Sequence, residues 1–352
     1  MQSQELSSRY APIYEATDLP DASPVGARPP RRRRRLFATG AIVLGSFVLV
    51  IAALLPLYVY PRLTVLPDDP QNGTTLTASG ATVLAPDASA PIGASVLKNA
   101  NVTVETFVSG VSGGGANSVV WQIATQTLVA GHGLINAQAE RISFDRRTAQ
   151  PTNCCGDRLL TSASDTEGRA LAHRGYVVWP FNIQKHSYQL WDLNIENTKT
   201  AEFMGVETRS GIRTYRFRSV VPRRSVGTMD LPGAFFGKSD LPSVSATTQY
   251  ADVSTYWVEP ATGAVISLRD QVTREFTYGG RTLTAFAGTL NSTDYSAAQL
   301  AQLRRGALYL PLIRGRVSVV LAGLGIQLLI LGLWLRIARP RRNGGHRSSS
   351  RR

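Results

Sequence analysis

The sequence predicts a β-dominated (α+β) architecture: an antiparallel β-domain placed between two transmembrane helices. Three observations carry this. Two uncharged apolar blocks stand near the ends of the 352-residue chain, the residues between them alternate with period two, and glycine-rich punctuation falls where hairpins need turns.

The first apolar block, "LFATGAIVLGSFVLVIAALLPLYVY" at 36–60, carries no charge over its 25 residues. A helix of about 20 apolar residues already crosses the hydrocarbon core. The block starts after 35 residues and shows no small-residue cleavage site, which favours a signal anchor over a cleaved leader. The second block, "VSVVLAGLGIQLLILGLWL" at 317–335, has 19 residues and one polar side chain, Gln327. A second span is expected over 313–336.

Arginines set the expected orientation. Arg28 and Arg31 to Arg35 precede the first span, and Arg336, Arg339, Arg341, Arg342, Arg347, Arg351 and Arg352 follow the second. The positive-inside rule then puts both termini in the cytoplasm and 61–312 outside the plasma membrane as a two-pass protein. Arg304, Arg305, Arg314 and Arg316 on the outer flank oppose this, but the C-terminal tail outnumbers them. Residues 1–35 and 337–352 read as disordered cytoplasmic basic tails, because they lack an apolar period. The net charge of +14 is mostly topogenic, so no nucleic-acid partner is expected.

Within 61–312 the strand signals come in order. "NVTVETFV" and "VVWQIATQTLV" alternate on either side of the glycine-rich "SGVSGGGANS", predicting a hairpin with a long tip. "IRTYRFRSVV" reads as a strand, and "VTREFTYGGRTLTAFAG" as a hairpin joined by Gly279-Gly280, the two-residue link of a primed turn. "ISFDRRTAQ" and "YWVEPATGA" share a grammar of strand, acid, two residues and Thr; many hairpin turns do, so a wider repeat is not expected. Ser296 and Gln299 sit at capping-box spacing and Gly306 is read as a stop, which predicts a short helix before the second span.

Both cysteines are neighbours in "PTNCCGD". In an oxidising compartment Cys154 and Cys155 could form a vicinal disulfide, stay as buried thiols, or form an exposed pair open to metal or exchange chemistry. The first, stiffening a turn beside Gly156, is favoured; redox catalysis is not, because the C-x-x-C spacing is missing.

No motif for nucleophilic catalysis, metal binding or phosphate binding stands in the chain, so no enzyme activity, cofactor, metal or catalytic residue is expected. His132, His173 and His186 are too scattered to assign to chemistry. The informative stretch is "YVVWPFNIQKHSYQLWD", with Trp179, Phe181, Tyr188 and Trp191 beside Lys185. Such density suits either plain core or the lining of an apolar ligand cavity, with Lys185 placed for an anionic headgroup. Met229, Leu231, Phe235 and Phe236, in the Pro/Gly-rich "VGTMDLPGAFFGKSDLP", join the candidate lipid-binding set.

Several segments in register, "RISFDRRTAQPTNCCGD", "WPFNIQKHSYQLWD", "TYRFRSVVP", "VGTMDLPG" and "YWVEPATGAVISLRDQ", carry a resemblance. The chain resembles an actinobacterial domain-of-unknown-function family often labelled the porin PorA family, which includes the LmcA-type lipoglycan maturation proteins. The resemblance implies an elongated antiparallel β-barrel-like ectodomain with internal apolar cavities, similar in shape to the CD36 and LIMP-2 lipid-handling receptors. It also implies a non-catalytic role in the cell envelope: binding or transferring a membrane lipid or lipoglycan precursor during lipomannan and lipoarabinomannan maturation. A scaffold for envelope glycosyltransferases is the alternative, and a glycolipid-acting enzyme comes third. A porin is the least favoured reading, since a spanning barrel needs an outward apolar band.

Overall fold

Twelve strands build one antiparallel sheet in the computed structural model, which describes residues 31–87, 89–162 and 165–338. Most of both tails expected to be disordered lies outside the described residues. The strands are β1 (Asn72–Pro86), β2 (Ala94–Val111), β3 (Ser118–Val129), β4 (Gly133–Asp145), β5 (Arg158–Leu160), β6 (Arg169–Ala170), β7 (Tyr188–Asp192), β8 (Asn197–Arg209), β9 (Ile212–Leu231), β10 (Val244–Val258), β11 (Val265–Tyr278) and β12 (Arg281–Ser292). Their order across the sheet is β6-β5-β4-β3-β2-β1-β12-β11-β10-β9-β8-β7. The first and last strands are therefore neighbours at the middle, where the chain enters and leaves.

Local chemistry explains the turns. Tyr278 pairs with Arg281 across Gly279 and Gly280, whose φ values of 56° and 76° are those a primed turn demands. The hairpin of β2 and β3 forms as the alternation predicts, with the glycine-rich segment at its tip. The two turns of shared grammar are alike bond for bond. Asp145 accepts from the backbone of Arg147 and Thr148 and from the Thr148 hydroxyl; Glu259 accepts from the backbone of Ala261 and Thr262 and from the Thr262 hydroxyl. Ala149 and Gly263, at the matching position, both have positive φ.

Helices precede and follow the strands along the chain. α1 (Arg31–Leu54) continues through a π-helical turn (Leu55–Val59) into α2 (Tyr60–Leu63), and α3 (Ala297–Pro311) continues through a second π-helical turn (Leu312–Arg316) into α4 (Val317–Ile337). Pro56 and Pro311 stand at these irregular turns; a proline inside a helix removes one N–H and crowds the carbonyl four residues back, which a π-turn relieves. The capping box of Ser296 and Gln299 is present, but Gly306 does not stop the helix, which runs on as one 41-residue segment. Two helices are thus long and apolar enough to cross a membrane.

By contacts the chain divides into Val48–Leu324, which holds the sheet, and the helical segments outside it. In the latter, α1 and α4 pack through small residues. A side chain on Gly45 would meet Gly325 O at 2.9 Å, and one on Gly332 would meet Ala38 O at 2.9 Å, so the helices run antiparallel in close contact.

Residues directly opposed in a ladder share a face. Tyr188 faces Ala201, which faces Ser219, then Ser254, Asp270 and Leu290, and Leu290 packs with Ala78, Val102 and Val129. One side of the sheet is therefore the inner, buried side across most of its width. Along β10 that side reads apolar, polar, apolar: Val258 belongs to a cluster with Trp179 and Phe217, Asp252 and Ser254 are buried polar groups, and Ala246 and Val244 pack with Phe236 and Phe276.

The expected closed, barrel-like form is corrected in two respects. The backbone ladder is open between β6 and β7, and the inner face is polar at mid-height rather than an apolar cavity.

Candidate functional site

The polar layer is centred on Lys199 of β8, whose ammonium group bridges Asp252 of β10 and Asp192 of β7, the latter at 3.1 Å, and donates to Ser254 Oγ at 2.9 Å. Ser254 Oγ lies 2.8 Å from Asp252 Oδ2 and 2.8 Å from Asp270 Oδ1 of β11. Tyr250 donates to Asp192, and Asn194 joins Asp192, Tyr250 and Arg274 into the same network. Alternation places these groups together: 250, 252 and 254 are every second residue of β10, and all three are buried.

Charge balance sets the electrostatics. Burial opposes the charge of Lys199, yet Tyr256, Asp192, Asp252 and Asp270 hold its ammonium group above the usual lysine range. Burial and the neighbouring carboxylates push the Tyr250 hydroxyl up. Asp270 is raised to about 8, by burial first and then by Asp252. Chemically the layer offers a fixed lysine, three carboxyl groups and hydroxyls, most of them bonded to one another.

A second polar group spans the opening of the ladder. His173 is buried between Glu140 of β4, 3.2 Å from Nε2, and Asp157, 3.2 Å from Nδ1, and its ring meets that of Trp191 of β7 edge-on. Burial lowers the His173 pKa, but the two carboxylates outweigh it and the net direction is up; Asp157 is correspondingly held below the usual aspartate range by His173 and Ser143 despite its own burial. Leu159, Leu171 and Trp191 pack beside them, and Arg169 pairs with Glu196. Side chains thus join β4 and β6 to the β7 end of the sheet, beside the single parallel bridge that Tyr176, just past β6, makes to Leu190.

Cys154 and Cys155 form a disulfide in the loop leading to Asp157. Ser143 Oγ accepts from the Cys154 backbone, and the Asn153 side chain brackets the backbone of His173.

The residues singled out from the sequence separate into several groups. Trp179 and Tyr188 share one cluster, Phe181 packs against another with Trp121 and Phe144, and Trp191 sits at the opening of the ladder. Leu231, Phe235 and Phe236 form a cluster at the far end of β10, Met229 is exposed, and Lys185 is exposed with its ammonium 5.8 Å over the Tyr215 ring. None of the nine lines the open cavity of about 340 Å³ at the glycine-rich tip, which is bordered by Asp68, Asp69 and Gly113 to Gly115. Sequence reasoning missed Lys199, Asp252, Asp270 and Glu140. Their strands alternate, but nothing local marks which face is inner, and Glu140 lies 33 residues from the histidine it meets.

Comparison with known proteins adds the family. The Porin PorA family model matches residues 37–334. The chain belongs to the Porin PorA family. A relative from Corynebacterium amycolatum, named Porin PorA, is 23% identical over 66% of this chain and 76% of its own. Another of that name, from Corynebacterium resistens, is 21% identical over 88% of this chain and 98% of its own. These names overturn the expected ranking of functions. Porin, placed last by the sequence reading, is what the relatives are called, and a lipid or lipoglycan maturation role has no support among them; that reading is withdrawn.

Proposed function

We propose that the protein is a porin-like envelope protein that passes small charged solutes along the polar inner face of its sheet. The supporting observation is the charged layer of Lys199, Asp192, Asp252 and Asp270 held between the Trp179 and Phe236 clusters. About eight strands give a barrel interior that side chains just fill, and twelve leave more room. Rings of charged side chains select ions in conducting pores, and apolar constrictions can gate them. The name of the Corynebacterium relatives points the same way.

In this reading the helices cross the bilayer and the sheet stands outside it, since its outer face carries groups such as Glu202, Arg218 and the Arg223–Glu275 ion pair. The arginine asymmetry favours cytoplasmic termini. A continuous path then needs several copies whose helical hairpins cluster. The test is planar-bilayer recording of the purified full chain. Stepwise conductance, with ion selectivity altered in Lys199→Gln, is the expected result; a chain that inserts without conducting overturns the proposal.

A further inference from the structure

The polar layer holds more negative than positive charge. Asp192, Asp252 and Asp270 face only Lys199 and Arg274 as cations, and the side chains of Asp192 and Asp252 are 4% and 0% exposed. A surplus charge in such a place is strongly disfavoured unless something neutralises it. One oxygen of the layer is left without a partner among the described residues. Asp252 Oδ2 receives Lys199 and Ser254, whereas Asp252 Oδ1 is buried and has no partner among the described residues. Asp270 is joined to Asp252 through Ser254 Oγ, which lies 2.8 Å from an oxygen of each.

We propose that Asp252 and Asp270 form a cation site whose occupant is a proton, carried by the Asp270 carboxyl and donated to Asp252 Oδ1. One proton removes the surplus charge and satisfies the orphan oxygen in a single step. No covalent or redox change is involved; the proton comes from water and returns to it. The assignment does not depend on whether the chain conducts.

The groups that face the pair are Asp192 from β7, Lys199 from β8, Tyr250 and Tyr256 from β10, and Arg274 from β11. On β9 the ladder partners of Asp252 and Ser254 are Val221 and Ser219, and Arg224, opposite Tyr250, is exposed. On β12, Leu290 and Gly288 oppose Asp270 and Val272. No further cation on these strands is placed to replace the proton.

Infrared spectroscopy of the full chain in detergent tests this directly, because a protonated carboxyl has a C=O stretch that ionised carboxylates lack. A band sensitive to deuterium exchange is expected near neutral pH. It should titrate away with a midpoint near 8. Asp270→Asn removes it, and Ser254→Ala, which keeps both carboxyls, shifts its frequency. Absence of the band in the folded wild-type chain overturns the proposal. So does its survival in folded Asp270→Asn, or a neutral-pH stability that rises steeply with added sodium or potassium, which would make a metal ion the occupant.

Discussion

The indole nitrogen of Trp191 donates to Glu140 Oε1 at 2.9 Å, across the place where the ladder between β6 and β7 is open. The same oxygen receives His173 Nε2, so one buried carboxylate ties β4, β7 and the intervening loop together. Glu140→Ala leaves the buried His173 Nε2 and the Trp191 indole N–H without their shared acceptor. Chemical denaturation should show a loss of about 3–5 kcal/mol. Trp191→Phe keeps most of the packing and gives up one charge-assisted bond, for about 1.5–3 kcal/mol. The double variant should lose less than the sum, because both substitutions break the same contact.

The same trio gives stability a pH window. His173 is raised above its ordinary 6.5, so its contribution is full below that value and is lost as pH rises through the folded-state pKa. Asp157 is lowered from 3.8, so its contribution is full above that value and is lost as pH falls through its folded-state pKa. Asp270 acts in the opposite sense to Asp157. The folded chain holds a proton that the unfolded chain releases, so stability declines as pH rises between 3.8 and about 8 and is level beyond. Thermal unfolding against pH should show both falling limbs. His173→Gln should flatten the alkaline limb above 6.5, and Asp270→Asn should remove the slope between 3.8 and about 8.

Gly263 supports a sharper contrast among glycines. Its φ is +76°, and a side chain there would stand 2.6 Å from Pro180 O and 2.7 Å from Trp179 O, both backbone atoms. Asn182 and Ile183 donate to Ala261 and Pro260 in the same turn, so the crossing segment has little room to yield. Gly263→Ala should cost about 3 kcal/mol or more. Gly280→Ala shares the φ of +76° but faces open space, so only the backbone penalty of about 1–2 kcal/mol remains. Equal melting shifts for the two variants would contradict this account.

These contrasts show what the sequence made legible. The Gly279-Gly280 turn, the Ser296–Gln299 cap and the apolar blocks are local signals, each written in residues that touch one another. Gly306 misled because a glycine ends a helix only where the chain has reason to leave it; here apolar residues continue on the far side and the helix runs through. The polar layer was hidden for a different reason. Period-two alternation tells which residues share a face and not which face is inner, so Lys199 and Asp252, polar and inward, look like surface positions. His173 and Glu140 meet only through tertiary structure.

The helical hairpin carries its own signal. Ala38, Gly45 and Ala52 on one helix, and Ser318, Gly325 and Gly332 on the other, are the buried positions, each spaced by seven. That spacing is the seam of a left-handed pair, and small residues let two backbones approach where lipid gives no hydrophobic drive. Gly45→Leu should therefore separate the helices, since even a first side-chain atom there lies 3.0 Å from Leu329 N. Gly332→Leu should do the same against Ala38 and Ile42. Gly40 and Gly323 have nothing within 4 Å, so leucine at either is harmless within the pair. Thermal stability in detergent should fall for the first two and stay unchanged for the second two. If all four behave alike, the tight antiparallel seam is not what joins the spans.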